Sequence, residues 1–323
     1  MKLSRREFGI ATAALLLSTK TFAQPAYPSR PVTLLVPQSP GGTNDVVGRI
    51  LAEQLTQLSG QPFIVENRAG ANGNLGTEYA ARANGDGYTL LLTVSSTQAI
   101  NPVLYRKVGF DPVQDFPPVA PVGTVPNVLV VHPSFPAKTM AEFVKVARES
   151  NPPIQFGSAG NGSLNHLLGA MLTQRAGIPL QHIPYRGVSQ AMTDVMGGQI
   201  PMAFASLPSC IEFVRSGKLR ALGVSSAKRS PALPDVEAIG EVVPGYEGEL
   251  WVGLFAIKGT PAPVIQKLAE LVEKATSSPD ALKKLEGVGV ERIQGGPDKL
   301  AAMLKADIAR WTPIVKESGA IVD

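Results

Sequence analysis

Val32-Thr33-Leu34-Leu35-Val36-Pro37-Gln38-Ser39-Pro40-Gly41-Gly42-Thr43-Asn44-Asp45 is the stretch that decides the fold. A short β-branched run ends in a glycine turn, and an amphipathic helical pattern follows over residues 45–58. The first N–H groups of a helix lack internal partners and carry partial positive charge. Two glycines at the junction let an anion approach that backbone closely. The turn therefore reads as a carboxylate cradle that needs no lysine or arginine. A second cradle of the same kind, Gly157-Ser158-Ala159-Gly160-Asn161-Gly162-Ser163, runs from a short strand into the helix Leu164–Ala176. Two such loops on separate lobes suit a small molecule with polar groups at both ends.

Outward from the first cradle, strands and helices alternate. Strands at 32–36, 63–66 and 89–94 enclose helices at 45–58 and 74–83, a βαβαβ unit that predicts a parallel sheet covered by helices. Pro117, Pro118, Pro121 and Pro126 mark a change, and a second alternation runs from 127 to 225. Residues 226–248 are rich in proline, alanine and charge and read as a connection. A strand at 251–256 then leads into helices at 263–276, 279–286 and Pro297–Ser318. These last elements lack strands enough for a lobe of their own. The expectation is an α/β fold of two lobes: 24–123 with 227–323, and 124–226. The chain would cross near 122–127 and 222–228, and two crossings make a hinge with the ligand in the crevice between.

Residues 1–23 read as an export signal: Lys2, Arg5 and Arg6, a weakly apolar middle, and Thr21-Phe22-Ala23 before Gln24. Ser4-Arg5-Arg6-Glu7-Phe8 matches the core of a twin-arginine signal, and the general secretory route is the alternative. Both lead to the bacterial periplasm. The signal holds four cations against one anion, so the +4 of the whole chain leaves the remainder near +1. The high pI is therefore no argument for nucleic acid, and no basic stripe interleaved with aromatics occurs. Nothing after the signal reaches the ~18 apolar residues of a membrane span. Cys210 stands alone in an apolar run and reads as a buried small hydrophobe. His132, His166 and His182 show no metal-ligand spacing. No metal and no cofactor are expected.

Several motifs together resemble a known family. They are Pro40-Gly41-Gly42-Thr43-Asn44-Asp45 with Arg49, and Glu66-Asn67-Arg68-Ala69-Gly70-Ala71-Asn72-Gly73-Asn74-Leu75-Gly76. Gly85-Asp86-Gly87-Tyr88, Asn101-Pro102, Gly157-Ser158-Ala159-Gly160-Asn161-Gly162-Ser163 with His166, Pro184-Tyr185-Arg186-Gly187, Gly217-Lys218-Leu219-Arg220-Ala221-Leu222 and Trp251-Val252-Gly253-Leu254 complete the set. In order and spacing the chain is similar to the Bug-type periplasmic solute receptors of tripartite tricarboxylate transporters over nearly its whole length. The resemblance implies a Venus-flytrap fold of the type II periplasmic-binding class that closes on a small carboxylate. It implies no catalysis, delivery to membrane transporter subunits, and a monomer. It places the ligand at Gly41, Gly42, Thr43 and Asp45, at Ser95 and Ser96, at Ala159, Asn161, Gly162 and Ser163, and at Ala205 and Ser206. Tyr185, with Arg186, follows a strand and reads from its position as cleft lining. Many relatives carry an acidic residue where this chain has Ala205-Ser206; its absence points away from amino acids and toward a plain or apolar-tailed acid. Asn84 and Ile257-Lys258 are further departures, outside the ligand loops.

The same residues have plainer readings. Thr43 is a candidate N-cap, and Asp45 with Arg49 at i, i+4 a pair that organises the loop. Gly70 to Gly76 has GxxGxxG spacing, not the dinucleotide GxGxxG, and reads as tight helix-on-sheet packing. Ser163 and His166 lack the orienting acid of a triad, and no GxSxG elbow is present. Arg186 is the one guanidinium in the motifs able to meet an anion; its other reading is a brace for its lobe. Trp251 and Phe255 share one face of a strand, and core packing is the default for both. Two other classes of function stay open on these residues: a periplasmic enzyme exported folded around a cofactor, and a solute sensor for a membrane signalling protein.

Overall fold

The computed structural model describes residues 27–318. The export signal read at 1–23 lies outside the described residues. The first unit is β1 (Val32–Val36), α1 (Thr43–Ser59), β2 (Phe63–Asn67), α2 (Asn74–Ala81) and β3 (Thr89–Val94). β1 pairs parallel with both β2 and β3, and Leu34 faces Val65 on one side and Leu90 on the other. All four apolar residues of β1 are buried, as a strand covered on both faces requires.

β4 (Pro118–Val131) is the element the two lobes share. Residues 118–126 pair antiparallel with β9 (Glu249–Phe255), and residues 127–131 pair with β7 (Met202–Ser206) and β8 (Arg220–Val224). The second lobe adds α3 (Met140–Glu149), β5 (Ile154–Ser158), α4 (Leu164–Ala176), β6 (Leu180–Pro184), α5 (Val188–Met196) and α6 (Leu207–Arg215). The first is completed by α7 (Ala262–Ser277), α8 (Pro279–Gly287), β10 (Glu291–Arg292) and α9 (Pro297–Ser318). The strand order is β2-β1-β3-β9-β4-β7-β5-β6, with β8 and β10 also on β4.

Side chains of β4 and β7 show why the second lobe has helices on both faces. Leu129, Val131, Met202 and Phe204 enter one core cluster, whereas Val128, Val130, Ala203 and Ala205 enter another. The period of two sends successive residues to opposite faces.

The chain enters the second lobe between Pro126 and Asn127, where β4 passes from pairing with β9 to pairing with β7. It leaves later than the expected 222–228. Val224 N–H donates to Glu237 O, Val224 bridges Ala238, and Leu233 and Ala238 are buried with Leu219 and Val224. Tyr246 Oη donates to Leu168 O on α4 at 3.0 Å. Residues 226–248 thus pack on the second lobe, and the return falls at Gly248–Glu249. Prolines and charges interleave with the buried residues, and the helical part is one short turn at Ile239–Glu241, so the composition reads as a linker. Ser225 ties the crossings together: its Oγ accepts from Asn127 N–H at 2.8 Å and donates to Gly248 O at 2.5 Å.

Candidate functional site

A cleft lies between the lobes, at the ends of the strands that start α1 and α2 in one lobe and α4, α5 and α6 in the other. It encloses about 540 Å³, its open mouth included, and about 30 Å³ of that admits the centre of a water molecule. The lobes touch across it. Thr43 Oγ1 donates to Ser206 Oγ, Ser189 Oγ donates to Pro40 O at 3.1 Å, and Tyr105 Oη donates to Asn161 O at 3.2 Å.

Five residues of its lining are helix N-caps: Gly42 of α1, Gly73 of α2, Ser163 of α4, Gly187 of α5 and Ser206 of α6. Four of them, all but Ser163, cap no backbone N–H with a side chain. Four of the five helix starts around the cleft therefore keep first N–H groups that no cap side chain has claimed. Such groups attract anions. Among the lining residues only Arg186 is charged; it is exposed and makes no ion pair with a described residue.

The structure distributes the expected site residues unevenly. Gly42, Thr43, Ser96, Ala159, Ser163 and Ser206 line the cleft. Gly41 sits beside it at φ 75°, a left-handed turn suited to glycine. Thr43 is not the cap but the first helical residue, which frees its hydroxyl to reach Ser206. Asp45 is absent from the lining and organises the loop. It accepts from Gly41 N–H at 2.9 Å and pairs with Arg49 at 2.9 Å. Burial would raise its pKa, but hydrogen bonds from Arg49, Gly41 and Asn67 and the charge of Arg49 hold it below the usual carboxylate range.

Ser95 turns from the cleft, its Oγ accepting from Trp251 N–H at 3.4 Å. Ala205 is buried in the second-lobe core. Tyr185 Oη donates to Asp194 at 2.7 Å, and burial with that carboxylate pushes the phenol up to about 12. Asn161 and Gly162 face the first lobe, at Tyr105 and Leu104.

The loop 159–163 gives much of its donor capacity to itself. Ser163 Oγ donates to Gly160 O at 2.7 Å and accepts from His166 N–H at 3.3 Å, while His166 Nδ1 accepts from Gly162 N–H at 3.2 Å. Ser163 and His166 are thus partners in a helix cap. Sequence reasoning missed the start of α5, Gly187-Val188-Ser189, and the first-lobe wall Pro37, Gln38, Ser39, Gly70, Asn72 and Gly73. The signal for α5 was Gly187 directly before a helical pattern. The glycine run at 70–76 has both roles: Gly76 permits packing, and Gly70 and Gly73 line the cleft. On β9 it is Leu250 that reaches the cleft; Trp251 is buried, its Nε1 donating to Asp307 at 2.7 Å. Cys210 is buried, and burial pushes its thiol up to about 12.

Beneath the loop, His166 and His182 stack with ring centroids 4.0 Å apart, and His182 Nε2 lies 2.6 Å from Ser158 Oγ. Burial, then the neighbouring His166, holds His182 down at about 4, and burial lowers His166. An unfolded histidine takes its proton near 6.5. Between about 6.5 and 4 the unfolded chain binds protons the folded one refuses, so stability falls with pH across that window and is fully present above it. Urea midpoints of the wild type should drop from pH 7 to pH 5, and less so in His182→Gln; equal drops would contradict the assignment.

Comparison with known proteins gives the following. A family model described as "Tripartite tricarboxylate transporter family receptor" matches residues 47–320. The protein BugT of Bordetella pertussis is 33% identical, covering 96% of this chain and 97% of BugT. The solved structure of an R. palustris protein with adipate is 34% identical, with a TM-score of 0.87 over 91% of this chain and 98% of that one. The malate-bound MatC of Rhodopseudomonas palustris is 30% identical, with a TM-score of 0.83 over 90% of this chain and all of that one (100%). No helix among the described residues is long and apolar enough to cross a membrane. Nor do the described residues contain a group of three His, Cys, Asp or Glu placed to hold a metal.

Proposed function

This chain belongs to the tripartite tricarboxylate transporter receptor family, and from that premise we propose that its cleft captures a small carboxylate through helix N-termini and hydroxyls. The observation that carries this is the ring of five N-cap residues around a cleft with a single charged side chain. Backbone donors of α1, α5 and α6 would hold the acid, with Ser96 and Ser206 supplying hydroxyls. Fixed N–H groups already point inward, so binding requires little ordering of long side chains. Weak, distributed donors also permit fast release.

In this reading residues 1–23 direct export to the periplasm by either route. The protein works there as a monomer, without metal or cofactor, and hands its solute to membrane transporter subunits. Two lobes joined by the crossings at Pro126/Asn127 and Gly248/Glu249 supply the hinge. Affinity at about micromolar, roughly −8 kcal/mol, suits delivery. Its relatives' acids include a plain one, adipate, and a hydroxylated one, malate, so membership alone leaves that choice open.

A thermal-shift screen of residues 24–323 against mono-, di- and tricarboxylates and amino acids tests the proposal. A true ligand at a hundred times its Kd should add about 2.7 kcal/mol of stability. A rise with a metal or redox cofactor and with no acid would favour an enzyme instead.

A further inference from the structure

Asn72 stands on the first-lobe wall of the cleft and is only 7% exposed. Its backbone is left-handed, at φ 53° and ψ 36°, directly after Ala71 at φ 46°. Two successive non-glycine residues in this region mark a segment that its surroundings hold in place. Those surroundings are a buried amide network. Asn72 O accepts from Asn101 Nδ2 at 3.0 Å and from Thr97 Oγ1 at 3.2 Å. Asn72 Nδ2 donates to Asn101 Oδ1 at 2.8 Å.

The network fixes which way the Asn72 amide points. Asn101 Nδ2 also donates to Asn74 Oδ1 at 2.6 Å, so its nitrogen is committed to two acceptors. Only the oxygen of Asn101 is left for Asn72, which must answer with its NH2 group. Asn72 Oδ1 is then turned from the network, buried and without a partner among the described residues. A buried carbonyl oxygen in that state requires a donor.

A carboxylate has no proton to give and would be repelled there. An ammonium could donate, but no aspartate or glutamate lines the cleft to balance its charge, and the positive helix ends oppose it. A hydroxyl meets both conditions. Resting on the acid-binding reading above, we propose that Asn72 makes this cleft selective for hydroxy acids, its Oδ1 accepting a hydrogen bond from the ligand's hydroxyl. The missing acid at Ala205-Ser206 pointed to a plain acid; Asn72 belongs to the opposite wall.

The test is calorimetric titration of the mature protein with matched pairs: malate and succinate, 2-hydroxyglutarate and glutarate, 3-hydroxybutyrate and butyrate. A site built to bond a hydroxyl rejects the analogue that lacks it, so the hydroxylated member of the best-fitting pair should bind at least about tenfold tighter. Asn72→Gly suits the left-handed backbone. It should cut that preference below about twofold while the plain acid keeps its affinity. Equal binding of both members by the wild type overturns the proposal, whether or not the variant folds. So does a preference that survives in Asn72→Gly. Failure of every acid to bind would sink the acid-receptor reading itself, and this inference with it.

Discussion

Gly187→Val should weaken binding of the acid about a hundredfold or more while leaving the melting temperature of the unliganded protein nearly unchanged. Gly187 has φ −172°, an extended conformation open to any residue, so the substitution carries no backbone strain. A Cβ there would lie 2.7 Å from Ser39 Oγ and 3.3 Å from Ser39 Cβ, and Ser39 belongs to the other lobe. The conflict exists only when the cleft is shut, and the larger valine side chain extends it. If the closed form falls to about 1% of the population, the apparent Kd rises about a hundredfold. Titration of wild type and variant with the acid found by thermal shift measures this. Unchanged affinity would mean that binding does not bring the start of α5 against Ser39.

Gly76→Ala should cost about 3 kcal/mol or more of folding stability. The added Cβ would sit 2.3 Å from Arg68 O and 2.7 Å from Pro37 Cα. Both are main-chain atoms and cannot swing aside as a flexible side chain does. Either β1 must separate from α2 or the helix must shift, and both open the packed face of the first lobe. Gly287→Ala is the control, because no described residue outside its own helix turn lies within 4 Å of its added Cβ. Urea unfolding of both variants decides: a loss below about 1 kcal/mol for Gly76→Ala would show that α2 does not pack on β1 as described.

Much of the architecture was legible because β1 to β3 and the helices between them obey their periods. The crossing at Pro126/Asn127 was legible from the prolines around it. The return crossing was not. Leu233, Ile239, Val243 and Tyr246 are buried, but prolines and charges interrupt the stretch and its helical part is a single short turn at Ile239–Glu241, so composition imitates a linker. The site was half legible for a related reason. Glycine turns announce helix starts, which located Gly42 and the loop before α4. They do not announce which donors are already taken, and the loop 159–163 closes on His166 and Ser158. Nor could spacing place Asn72, whose role depends on Asn101, 29 residues away.

In the proposed function, main-chain N–H groups at helix starts, not basic side chains, hold the acid. A crystal structure of the protein with its bound acid tests it most directly. Carboxylate oxygens should lie within about 3 Å of N–H groups in the first turn of α1 or α5, inside the shut cleft. A carboxylate held only by Arg186, or seated outside the space between the lobes, would contradict it.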